Sequence, residues 1–326
     1  MKPGIALVAL AAASTACTEL DVLSGSRPDL PWSPLAPRGT ALTRSSEVPP
    51  YEVSTALAGG SLELVTDLPA APADCAVDRP PALCADDDGD GLVDEWEDVV
   101  LDRFRPFVRI DKGDPLHIDG EGRVASVGRV VPVVAGDGSA RIRLFLVLGY
   151  SRDYGRCTFG SHLGDSERVV LDLLPGASTD GSARLIGAYT AAHEGSGRDT
   201  SRLFEGDEIA ALEYADDPAT GEPRWAVYSS RAKHATYATA ALCEANGSWI
   251  FCGDEDCASG RSLDPPNELL MPVVNAGEPD APRAEEMMDE PVWEDVAFCG
   301  GLGHGDGSCA SPLREKLLSD PFSPEI

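Results

Sequence analysis

The chain has 326 residues, 43% of them hydrophobic, and its 55 Asp and Glu outweigh 26 Lys and Arg to leave a net charge of −29. That apolar content suffices for one good-sized core, or one domain with appendages. The charge repels phosphate backbones and anionic lipid surfaces and favours divalent cations, which argues against nucleic acid as a partner.

The N-terminus has the pattern of an export signal. Lys2 supplies the positive charge, and Ile5–Ala13 a short apolar run that cannot span a bilayer. Ser14-Thr15-Ala16-Cys17 resembles the bacterial lipobox, so residues 1–16 are the expected signal peptide and Cys17 the expected lipidation site. A plain signal peptide with a chance cysteine is the alternative. No other stretch approaches transmembrane length. The expected attachment is therefore by lipid anchor alone, at the bacterial cell envelope and its outer membrane. Residues 17–74 are rich in Pro, Ser, Ala and Gly and read as a flexible tether; whether Tyr51–Leu68 docks as a strand is open.

Of nine cysteines, setting Cys17 aside leaves eight: Cys75, Cys84, Cys157, Cys243, Cys252, Cys257, Cys299 and Cys309. An even set in an exported chain points to disulfides, although eight cysteines allow 105 pairings. Short loops favour Cys75 with Cys84, Cys252 with Cys257 and Cys299 with Cys309, leaving Cys157 with Cys243. A zinc cluster of Cys243, Cys252 and Cys257 is the competing reading, but its spacing fits no common zinc pattern.

Residues 75–105 hold the clearest chemical signal. Counting Asp86 as position one of a twelve-residue calcium loop puts Asp86, Asp88 and Asp90 at one, three and five, and Gly91 at six. Leu92 offers its carbonyl at seven, Asp94 stands at nine, and Glu97 can close the shell at twelve. Starting one residue later would put glycines at three and five, so the register is unambiguous. Pro80-Pro81 disfavours an incoming helix. On the outgoing side, Leu92, Trp96, Val99, Val100 and Phe104 form a helical stripe over about Val93–Arg105, ended by Pro106. Half of an EF-hand is the expected unit, with calcium its cofactor.

Beyond Pro106 the apolar period changes to two. Segments 107–110, 124–134, 141–150, 168–174, 184–191, 208–214 and 225–229 read as strands, separated by turns at Gly136-Asp137-Gly138 and Asp180-Gly181. The spacing predicts a mainly β chain, a β-sandwich or jelly roll over 106–242. Residues 243–326 read as an irregular cysteine-containing extension on that core. Met287, Met288 and Trp293 are a candidate short helical piece. Gly300–Gly307 reads as a disulfide-closed loop, within which His304 and Asp306 are minor metal candidates.

A second constellation is centred on histidines. His162-Leu163-Gly164-Asp165-Ser166-Glu167 precedes one strand, His193-Glu194 follows the next, and Lys233-His234-Ala235-Thr236-Tyr237 follows a later one. Asp165 and Glu167, two apart, face one side of an extended backbone. Phe104-Arg105-Pro106-Phe107-Val108-Arg109-Ile110-Asp111, together with these motifs in their order, resembles the vacuolar protein sorting-associated protein 62-like family. The related necrosis-inducing protein family has a comparable metal-holding motif. The resemblance spans about residues 102–239; where the family has tryptophan this chain has Ser166.

An imidazole with two carboxylates can hold a divalent cation. The expectation is a second metal site at His162, Asp165 and Glu167, lined by His193, His234 and Tyr237. It would bind an extracellular ligand such as a glycan or lipid head group. In the bland alternative, the carboxylates pair with arginines such as Arg168 or Arg231 and the histidines are structural. A metal-dependent hydrolase with His234 as catalytic acid or base is a further alternative, and a purely structural envelope protein is another. Binding is preferred to catalysis: the chain has no Gly-x-Ser-x-Gly elbow and no phosphate-binding glycine loop.

Overall fold

The protein's structure, a computed structural model, describes residues 53–54, 57–58, 61–111, 114, 124–154, 162–176, 181–195, 199–217, 220–246, 257, 260–262, 270–279 and 313–323. In chain order these form β1 (Val53–Ser54), β2 (Leu57–Ala58), β3 (Ser61–Thr66), α1 (Asp94–Phe104), β4 (Phe107–Asp111), β5 (Val124–Val134), β6 (Ala140–Asp153), β7 (His162–Pro175) and β8 (Ala183–Thr190). Then come β9 (Arg202–Glu205), α2 (Asp207–Ala210), β10 (Tyr214–Asp216), β11 (Pro223–Ser229), β12 (Thr236–Tyr237), α3 (Ala240–Asn246), β13 (Gly260–Ser262), β14 (Leu270–Asn275) and α4 (Leu313–Leu318).

The chain is mainly β. Its larger sheet runs β1-β3-β8-β7-β6-β5-β14, with β2 beside β3 and β9 beside β8. The smaller runs β10-β11-β4-β13, with β12 beside β11. Neighbours are antiparallel except β4 with β11 and β5 with β14. The period-two pattern explains the packing. Leu144, Leu146 and Leu148 of β6 and Val169, Leu171 and Leu173 of β7 meet Val108, Ile110, Trp225 and Val227 of the smaller sheet in one core. Phe145, Val147 and Val170 point the other way and are covered by Leu317 of α4. Both faces of the middle of β6 and β7 are therefore buried, which is why Leu144–Leu148 and Val169–Leu171 are continuous apolar runs.

Helix α1 lies in the same core, with Trp96, Val100 and Phe104 fully buried. The Trp96 indole donates to the Gly181 carbonyl at 2.6 Å. Gly181 has φ +69°, and a Cβ there would lie 2.0 Å from the Leu68 carbonyl oxygen, so the turn requires glycine. At the other end of α1, Arg224 donates to the carbonyls of Asp102 and Arg105. A guanidinium there satisfies acceptors that a helix C-terminus leaves over and complements its dipole.

Several boundaries differ from the sequence expectation. The tether cannot extend to residue 74: β3 pairs with β8, and Leu62, Leu64 and Leu68 are fully buried. Residues 208–214 are not a strand; after Gly206 (φ +57°) the chain makes the turn of α2, and only β10 is extended. Asp207 and Glu208 favour that first turn electrostatically. The C-terminal extension is more regular than expected, adding β13 and β14 to the two sheets and α4 to an outer face. Cys75 pairs with Cys84 as expected. Cys243 pairs with Cys257, not with Cys157, and Cys257 is therefore not joined to Cys252. That bridge also removes two of the three sulfurs from the zinc alternative. Outside the described residues lie Cys17 and the signal segment, Cys157, Cys252, Cys299, Cys309, Met287, Met288, Trp293 and the His304–Asp306 loop.

Candidate functional site

Two charged assemblies stand out. The first is the loop ahead of α1. Instead of an incoming helix there is a 3₁₀ turn, Pro81–Cys84, closed by the Cys75–Cys84 bridge. The Asp86 carboxylate accepts from the amides of Gly89 at 2.8 Å and Gly91 at 3.2 Å, and both glycines have positive φ. The chain thus wraps its first carboxylate and delivers the next ones inward. Ligand oxygens of Asp86, Asp88 and Asp90 lie within 4.8 Å of one another, and those of Asp88, Asp94 and Glu97 do the same. Glu97 is fully buried on the first turn of α1.

This crowding has an electrostatic signature. Burial pushes the Asp90 carboxyl up to about 7 against a hydrogen bond from the Leu92 amide, with the charges of Asp88, Asp86 and Glu278 adding to the shift. Asp90 Oδ2 is buried without a hydrogen-bond partner. Hard carboxylate oxygens in such a ring suit a hard divalent cation. The loop also touches the end of the larger sheet: the Glu278 amide donates to Asp88 Oδ2 at 3.0 Å, and Glu278 pairs with Arg129 of β5. An open groove of about 340 Å³ beside it is lined by Asp90, Arg129, Val131, Phe145, Glu278 and Asp320, among others.

The second assembly is buried. His234 has no solvent exposure and stacks on the Tyr150 ring, with centroids 4.2 Å apart and planes 8° from parallel. Its Nδ1 lies 3.1 Å from Asp165 Oδ2 and its Nε2 3.6 Å from Asp114 Oδ2. Burial opposes the imidazolium, but the carboxylates of Asp114 and Asp165 outweigh it and raise the pKa to about 9. The backbone here is strained: Ala232 and His234 have φ of +66° and +56°. The Ala232 amide donates to Asp114 Oδ2 at 2.7 Å, and the Tyr154 amide reaches the Ala232 carbonyl at 3.0 Å. These contacts over-determine a conformation that would otherwise cost about 1–3 kcal/mol per residue.

Asp165 and Glu167 share one face of β7, as their spacing predicts, but within the strand and not ahead of it: they pair across to Tyr150 and Leu148 of β6. Glu167 is buried, its Oε2 3.7 Å from the Lys316 ammonium, which also donates to the Ser166 carbonyl. Burial pushes the Glu167 carboxyl well above the usual carboxylate range; Lys316 acts against the shift and Asp165 adds to it. Arg168 does not pair with either carboxylate. It points to the opposite face, bonding Glu194 at 2.8 Å and the carbonyls of Lys316 and Ser319 at 2.8 and 2.6 Å.

The structure therefore joins Asp165 to His234 and sets Glu167 on the same face of β7, against Lys316. His193, also at positive φ, is close enough to Glu167 to act on its charge. Tyr237 is buried in a separate apolar cluster with Tyr228, Cys243 and Cys257. The His162 backbone pairs with Asp153, and its imidazole lies outside the described side chains. Among the described residues, Asp165 and Glu167 are not in a convergent metal-ligand set. Sequence reasoning missed Asp114, Tyr150 and Lys316. The only signal for Lys316 was its place between the apolar residues of Leu313–Leu318, and nothing in the order of residues joins it to Glu167. Comparison with protein-family models, with curated proteins and with solved structures found no match.

Proposed function

We propose that this chain is an exported, lipid-anchored envelope protein whose β-sandwich is closed by one structural calcium ion in the Asp86–Glu97 loop. The observation that carries this reading is the convergence of five carboxylates in two sets sharing Asp88, with Asp90 Oδ2 buried and lacking a hydrogen-bond partner. Asp86, Asp88, Asp90, Asp94 and Glu97 would hold the ion, and the Leu92 carbonyl would complete the set. What calcium supplies there is positive charge that relieves the crowding of buried carboxylates. The loop then clasps the disulfide-closed turn before it, α1 after it and the segment following β14. Disulfides suit the oxidising compartment that this reading requires. The order of the three family-like motifs supports distant kinship with the vacuolar protein sorting-associated protein 62-like family.

His234 in this reading is a structural imidazolium, not a catalytic base, because both ring nitrogens face carboxylates and the ring is fully buried. Asp165 and Glu167 are likewise engaged internally, by His234 and Lys316.

The test is calorimetric titration of the calcium-stripped full chain. Wild type is expected to take up one equivalent, with Kd on the order of 10⁻⁴–10⁻³ M or tighter, as in extracellular calcium modules. Glu97→Gln is expected to weaken binding about tenfold or more. An identical titration for wild type and Glu97→Gln would overturn the assignment.

A further inference from the structure

The C-terminal segment 313–323 lies across the outer face of the larger sheet, and arginines from three adjacent strands hold it. Arg129 of β5 donates to the Leu317 carbonyl at 3.1 Å. Arg143 of β6 donates to Asp320 at 3.1 Å and stacks over Phe322 at 4.3 Å. Arg168 of β7 takes the Lys316 and Ser319 carbonyls. Beneath them Leu317 is fully buried against Val127, Val131, Phe145, Val147 and Val170. At one margin, the same Arg129 is gripped by Glu278, with Nε and Nη2 at 3.1 and 2.5 Å from Oε1. The Glu278 amide in turn donates to Asp88 Oδ2.

A continuous polar path therefore leads from the acidic loop through Glu278 and Arg129 to the last turn of α4. From there Lys316 reaches Glu167, two residues from the carboxylate that holds His234. We propose that calcium in the loop controls docking of the C-terminal segment 313–323, so that the loop is a clasp acting on a distant strap as well as on its own neighbours. This rests on the calcium reading above.

The coupling has a direct physical cause. Without a cation, the carboxylates of Asp86, Asp88, Asp90 and Glu278 crowd one another, and repulsion works to move Glu278 away, taking the Arg129 side chain with it. A bound divalent ion removes that repulsion and fixes Asp88 as acceptor for the Glu278 amide. Glu278 then holds Arg129 where it meets the Leu317 carbonyl. The element with two states is the segment itself, docked or released, which is what a claim of coupling requires.

Hydrogen exchange of the full chain, with and without calcium, reads the segment's docking directly. Calcium is expected to slow exchange across 313–323 about fivefold or more, in the usual range of coupling between sites. Arg129→Gln is expected to bind calcium as wild type does, since Arg129 is not a ligand, yet to lose the slowing. If Arg129→Gln fails to fold, Arg129→Lys keeps the charge but not the planar fork that joins Glu278 to the Leu317 carbonyl, and makes the same test. Calcium uptake by calorimetry in the same samples, with no change in exchange over 313–323, overturns the coupling and leaves the calcium reading intact. Full slowing in a folded variant also overturns it. No calcium uptake by wild type overturns both.

Discussion

At the scale of single residues, the molecule invests most heavily in one imidazole. His234 is held by two carboxylates and a tyrosine ring on a left-handed backbone, and the carboxylates favour its charged form against the cost of burial. The consequence for stability has a definite sign. The folded pKa, about 9, lies above the ordinary 6.5, so the contribution is complete below 6.5 and is lost as pH rises through 9. Glu167 acts in the same direction: its carboxyl is raised from 4.5, so its ionisation also works against the fold as pH climbs. The urea midpoint at saturating calcium is expected to fall between about pH 6.5 and 9. In His234→Gln the imidazole's share of that fall disappears. Stability there drops by about 3–5 kcal/mol overall, because two buried carboxylates lose their cation. A midpoint flat across that window in wild type would contradict the account. None of this was legible from order alone. Asp165 and His234 stand out as residue types, but a carboxylate bound to an imidazole and one offered to a metal read identically until the partner, Asp114, is placed.

At the scale of elements, local pattern was a good guide wherever one chemistry governed a segment. Strand β5 begins and ends where the sequence places it, because Val130, Val131 and their neighbours alternate between bounding polar residues. Helix α1 follows its apolar stripe to Pro106. The misses have a common cause. The start of β7, His162 to Glu167, is mostly polar and looks like loop; it is strand because β6 supplies the ladder, and His234 and Lys316 supply partners for Asp165 and Glu167. Strands β3 and β14 join neighbours far away in the chain, β8 and β5, so their sheet role is a long-range fact. Gly181 tests the packing of α1 most sharply. Gly181→Ala forces a Cβ against the Leu68 carbonyl and disturbs the Trp96 hydrogen bond. A loss of about 2–4 kcal/mol is expected, read as a lower melting temperature with calcium present. A melting temperature within a degree or so of wild type would contradict the description of this turn.

At the scale of the whole molecule, net charge and fold address the same problem. At −29 the chain nevertheless buries some of its carboxyl groups, at the cost of their hydration. It does so in two places, one beside His234 and Lys316, the other in the loop, for which a cation from outside is proposed. The loop's carboxylates converge in two sets, in keeping with their spacing in the sequence; its contact with Glu278, 190 positions beyond Asp88, and through Arg129 with the C-terminal segment, was not legible, because it joins parts of the chain far apart in order. The central claim is that this loop is a calcium clasp on which the fold depends. The most direct measurement is the melting temperature of the full chain in chelator against saturating calcium. At a hundredfold excess over Kd, binding to the folded state alone adds about 2.7 kcal/mol, expected to raise the melting temperature by about 5 to 10 °C. Identical melting curves with calcium and with chelator would contradict it.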